Sequence, residues 1–154
     1  MLGENPENPR SRDPWKALED LKSRRTYAER GMLFHEGERC TGVYLVEKGN
    51  VRLLVPVRHK QHKVLEVARP GAALGLSEAM SGMPHKLTAE AAEVVQVAFI
   101  ERMALMKFLR KHHEVCLQLV CLLSEDLHEL YQRFRMLLPA EPKSHKKVVA
   151  RRVQ

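Results

Sequence analysis

The 154-residue sequence predicts a mostly β domain with α elements: a double-stranded, jelly-roll-like β-roll with flanking helices and one long C-terminal helix. Three observations carry that expectation. Short β-type runs broken by glycine recur at close spacing between Thr26 and Ile100. From Glu101 the texture turns helical and stays so until Pro139. Apolar residues make up 44% and charged residues 29%, an ordinary globular balance. No apolar run approaches the ~20 residues of a membrane span.

The elements follow in order. The chain opens with the polar, Pro-rich MLGENPENPRSRDP, not a secretory signal, and residues 1–13 read as a disordered arm. Asp13-Pro14 ahead of Trp15, Leu18 and Leu21 looks like an N-cap and first-position proline leading a short amphipathic helix. Met32–Phe34 and Val43–Val46 are β-type runs, with Gly37 and Gly42 between them. Gly49-Asn50 signals a turn before the run Val51–Val57. A polar tip, Arg58–His62, separates this run from Val64–Ala68, and Pro70-Gly71 marks another turn. Leu87–Ala91 and Val94–Ile100 are the last strand candidates, so the roll takes residues 14–111.

Arg102–Arg110 reads as a helix with Met103, Leu105, Met106, Phe108 and Leu109 apolar. Residues 112–138 form the long helix. Within it Leu117, Val120, Ser124, Leu127, Tyr131, Phe134 and Leu138 alternate in steps of three and four, which is a heptad seam. Leu119, Leu122, Leu123, Leu130 and Leu137 fall largely outside that seam. A helix with two apolar flanks packs on its own roll and on a second copy at once, so a homodimer is expected. A wide core-facing stripe in a monomer is the other reading, and it leaves more apolar surface facing water.

The net charge of +7 permits contact with nucleic acid or an anionic ligand without demanding either. Much of the excess lies in Lys143, Lys146, Lys147, Arg151 and Arg152 and in the cluster Arg58, Lys60 and Lys63, where a solvated surface is an equally good reading. Cys40, Cys116 and Cys121 form no C-x-x-C pair, which suits reduced thiols in a cytoplasmic protein.

Together these turns resemble the effector domain of Crp/Fnr-type transcription regulators, over about Leu18 to Leu138. The resemblance rests on Tyr27, on Phe34-His35-Glu36-Gly37-Glu38, on Val43 through Val51 with Gly49-Asn50, and on Pro70-Gly71. Leu74-Gly75-Leu76-Ser77-Glu78, Ser81-Gly82 and Pro84 through Thr88-Ala89-Glu90 look like that family's phosphate-binding cassette. The resemblance implies a cyclic-nucleotide-binding-like roll, a long dimerisation helix and, in relatives, a following helix-turn-helix that reads DNA. It also implies an effector site at Gly75, Leu76, Ser77, Glu78, His85, Lys86, Leu87 and Thr88, with Leu130 and Tyr131 of the long helix above it.

The cassette departs from the binders of cyclic AMP at two places. Their Gly-Glu pair, whose glutamate holds the ribose hydroxyl, here reads Gly75-Leu76, and leucine leaves a buried hydroxyl unpaired. Their phosphate-clamping arginine falls in a run that here reads His85-Lys86-Leu87, and an ammonium does not replace a bidentate guanidinium. A small anionic effector other than cyclic AMP is therefore expected, helped by backbone N–H groups near Ser77. A cassette filled by its own side chains is the competing expectation. Beyond Leu138 only LPAEPKSHKKVVARRVQ's remainder follows, so residues 139–154 read as a basic tail or the start of a DNA-binding domain. DNA would then be read only through a domain absent from this chain, and a stand-alone module that regulates a partner protein is the alternative.

Enzymatic chemistry finds little support. His59-x-x-His62 with Glu66 is a near miss for a cupin-type metal site, with the wrong spacing at a hairpin tip. His112-His113 and His128 lack a matched i, i+4 pair, and three scattered cysteines fall short of a four-thiolate cluster. Haem held through His35 or His85 has no further motif behind it. No metal site is expected, and no cofactor is named by the residues.

Overall fold

The computed structural model describes residues 13–138 and forms the expected roll. Of the arm expected at 1–13, residues 1–12 lie outside the described residues, as does the tail expected at 139–154. Eight strands run β1 (Lys22–Tyr27), β2 (Met32–Phe34), β3 (Gly42–Lys48), β4 (Val51–Val57), β5 (Gln61–Ala68), β6 (Ala73–Leu74), β7 (Thr88–Ala91) and β8 (Val95–Glu101). The helices are α1 (Leu76–Ser81), α2 (Arg102–Lys111) and α3 (His113–Leu137). Two four-stranded antiparallel sheets face each other, ordered β1-β8-β3-β6 and β2-β7-β4-β5.

Alternation along β8 divides the core in two. Val95, Val97 and Phe99 point into the roll with Leu33, Phe34, Tyr44, Val46, Val51 and Leu53. Ala98 and Ile100 point the other way, onto Leu18, Leu76, Ala79, Leu105, Leu109 and Leu119. The second cluster binds the helical layer to the sheet, and it is where the first half of α3 docks. Gly42 lets β3 and β8 approach, because a Cβ there would lie 2.2 Å from the Ile100 carbonyl oxygen.

Several boundaries differ from the sequence expectations. The helix expected after Asp13 is a 3-10 helix, Lys16–Leu21. Asp13 still closes its entry, its Oδ1 accepting the Trp15 N–H at 2.9 Å. Strand β1 lies earlier than expected, within the charged run Lys22–Tyr27, because it is an edge strand paired only to β8. The hairpin tip is shorter than Arg58–His62, since Val57 already pairs with Gln61.

Candidate functional site

The cassette is a strand–helix–loop–strand unit from β6 to β7. Gly75 takes φ +80° and turns the chain from β6 into α1, and Gly82 takes φ +77° and ends that helix. A side chain at Gly75 would crowd the Gly42 carbonyl oxygen at 3.1 Å and His85 Cε1 at 3.2 Å. The Arg102 Nε donates to the Ala79 carbonyl at 2.8 Å, which ties the end of α1 to the first residue of α2.

Of the two residues that depart from the nucleotide-binding pattern, Leu76 is buried at the interface of α1, α2 and the sheet. It is a core residue of the helical layer. His85 is 3% exposed and stacks on Phe34 with ring centroids 3.8 Å apart. Its backbone is pinned on both sides: its N–H donates to Glu38, and its carbonyl accepts from Gly37. Burial pushes the imidazole below its ordinary value, with the Glu78 and Glu38 carboxylates pulling weakly the other way. Burial thus favours the neutral ring, whose Nδ1 is buried without a hydrogen-bond partner.

The other cassette positions divide by exposure. Ser77 and Lys86 are exposed, and Leu87 packs against the roll core. The Glu78 Oε1 accepts the Lys86 N–H at 3.5 Å, so the two loops do meet there. Thr88 is buried, and its Oγ1 accepts the Glu36 N–H at 3.0 Å, joining the cassette to the turn after β2. Leu130 and Tyr131 are more than half exposed on α3 and belong to neither core cluster. The structure thus brings Gly75, Glu78, His85, Lys86 and Thr88 together, and leaves Leu130 and Tyr131 facing outward.

An aromatic column, not legible in the sequence, extends the site across the roll. From His85 it passes through Phe34, Tyr44 and Phe99, with successive centroids 3.8, 5.4 and 4.9 Å apart. It ends where the Arg25 guanidinium sits 3.6 Å over the Phe99 ring. There an open cleft of about 500 Å³ is lined by Ser23, Arg25, Thr41 and Glu101. The signal that could have shown it is Ser23, Arg25 and Tyr27 at alternate positions of β1, all on the roll side.

The long helix presents two unlike faces. Leu119 is 0% exposed, and Val115, Cys116, Leu122 and Leu123 pack partly on the same cluster. On the other face Leu117, Val120, Ser124, Leu127, Tyr131, Phe134 and Leu138 are all exposed, Leu127 at 67%. Arg133 bridges Glu66 of β5 at 3.6 Å and Glu129 at 2.8 Å, which sets the far half of α3 beside the β4–β5 hairpin. No described helix is long and apolar enough to cross a membrane, and no described group of three or more His, Cys, Asp or Glu is placed to hold a metal ion.

Comparison with known proteins agrees with this geometry. The Thermus thermophilus catabolite activator protein superposes with a TM-score of 0.71 at 24% identity, over 88% of this chain and 61% of its own. A cyclic nucleotide-binding domain from Methylobacillus flagellatus gives 0.71 at 21%, over 83% and 74%. The sensor domain of the transcriptional regulator DNR from Pseudomonas aeruginosa gives 0.64 at 21%, over 84% and 85%. The chain spans about three fifths of the length of the first relatives it matches. No curated protein matches it. These neighbours share the fold, in line with the resemblance to Crp/Fnr-type effector domains. The family model for the cyclic nucleotide-binding domain matches residues 24–112, and the chain belongs to that family.

Proposed function

We propose that this chain is the sensory and dimerisation domain of a Crp/Fnr-like regulator, a non-enzymatic module that pairs through α3 and transmits a small-effector signal along it. The observation that carries this reading is the split of α3. One face is anchored in the roll by Leu119, while the seam Leu117, Val120, Ser124, Leu127, Tyr131, Phe134 and Leu138 is left in water. Such a stripe is stable when a second copy covers it. An effector that shifts α1 acts on α2 through Arg102, and α2 carries α3, so the paired helices change their geometry.

The effector is a small molecule other than cyclic AMP. Supporting this, Leu76 is committed to the core, His85 is neutral and stacked, and Lys86 is the cassette's one fixed cation. The site residues of this proposal are Gly75, Ser77, Glu78, His85, Lys86 and Thr88. Light scattering at micromolar concentration is expected to give twice the 17.7 kDa chain mass, and a monomer refutes the pairing. Calorimetry with cyclic AMP is expected to show no specific site. A micromolar dissociation constant would refute the reading of Leu76 and His85.

A further inference from the structure

The end of the β4–β5 hairpin holds a charge cluster that neither the roll nor the seam uses. Arg58, His59, Lys60, Gln61, His62 and Lys63 are consecutive, all exposed, and include no carboxylate. Among the described residues only Lys22, Arg24, Arg52 and Arg133 are held in ion pairs; Arg58, Lys60 and Lys63, like most of the other cations, are in none. The turn itself is strained. His59 and Lys60 take φ of 67° and 58°, two successive left-handed residues. Tight hairpin turns ask for that conformation, and Asn-Gly meets it at least cost. Here both positions hold basic side chains instead, which is a departure of the kind found where a loop has work to do.

We propose that this hairpin tip is a contact for the phosphate backbone of duplex nucleic acid, made without base reading. Fixed cations with no internal partner release the counterions of a phosphate chain when they bind it. A two-stranded antiparallel ribbon, with strands about 4.8 Å apart, fits a major groove about 12 Å wide. Duplex is favoured over a lipid surface because the exposed aliphatics sit away from the tip. Val64, Leu65 and Val67 lie lower on β5, around the Glu66–Arg133 bridge, and Val57 alone stands beside the turn. This contact is independent of the effector site and of any domain that reads sequence.

Fluorescence anisotropy of the whole chain with a labelled DNA duplex of arbitrary sequence, across roughly 50–200 mM salt, tests it. The Arg58→Gln/Lys60→Gln/Lys63→Gln variant is expected to lower the slope of log affinity against log salt by roughly 2.7, about 0.9 for each lost contact. The His59→Asn/Lys60→Gly variant is expected to raise Tm by relaxing the turn while weakening binding, which separates the charge from the fold. An Arg151→Gln/Arg152→Gln variant is expected to keep the slope change produced by the tip. The proposal is overturned by an unchanged slope in the tip variant, by affinity that resides wholly in the tail, or by binding to phosphatidylserine vesicles and not to duplex.

Discussion

Replacing Leu119 with alanine removes a fully buried side chain at the point where α3 docks on the roll. It shares its cluster with Leu18, Leu105, Leu109 and Ile100, themselves 5% exposed or less, so the site has little room to collapse. Losing the two methyls and the methine forfeits about 2.4 kcal/mol of transfer free energy at about 0.8 kcal/mol per carbon. The cavity left behind brings the total to about 3–4 kcal/mol. The same truncation at Leu127, 67% exposed, changes the stability of a single copy by less than about 0.5 kcal/mol. Urea unfolding at a concentration low enough to keep copies apart distinguishes the two. With an m-value of roughly 1–3 kcal/mol per molar urea, Leu119→Ala is expected to lower the midpoint by more than about 1 M. Equal midpoints for the two variants would refute the division of α3 into a docked face and a free one.

Three further outcomes follow from the site. Because burial holds His85 below its ordinary 6.5, the unfolded chain binds its proton more readily than the folded one. The stability this neutral ring supports is fully present above about pH 6.5 and is lost as pH falls toward the folded pKa. His85→Phe keeps the stack on Phe34 and is expected to flatten the midpoint between about pH 7 and about pH 5; an unchanged slope would move the titration to another group. Thr88→Val removes the acceptor of the Glu36 N–H and is expected to lower stability by about 0.5–1.5 kcal/mol in thermal unfolding, with an unchanged Tm contradicting that bond's role. Gly42→Ala would set a Cβ 2.2 Å from the Ile100 carbonyl oxygen, against backbone that cannot yield, so soluble folded protein by circular dichroism would contradict the β3–β8 spacing.

The roll was legible where a strand buries one face and a glycine turns it. Val43–Val46 and Val51–Val57 show the apolar runs, and Gly49 and Pro70-Gly71 mark the turns between sheets. Strand β1 was not, because an edge strand with few apolar positions lacks the alternating pattern. Its Arg25, exposed on the roll-side face of this edge strand, stacks on Phe99, 74 residues away along the chain. The hairpin itself was legible as the polar tip Arg58–His62, but its two left-handed residues were not, since His59-Lys60 lacks the Asn-Gly signature. In the cassette the sequence exposes the loss of the glutamate and arginine. What it conceals is where the replacements go: Leu76 into the helical core and His85 into an aromatic stack, both set by long-range packing.

The pairing of two copies along α3 is tested most directly by two substitutions of equal chemistry on opposite sides of that helix. Leu127 lies in the seam, and Met136, 86% exposed, lies across the helix from it. Sedimentation equilibrium of Leu127→Glu is expected to show the 17.7 kDa monomer, while Met136→Glu keeps the dimer of the unaltered chain. A dimer that survives Leu127→Glu, or one that Met136→Glu breaks equally, would contradict the seam.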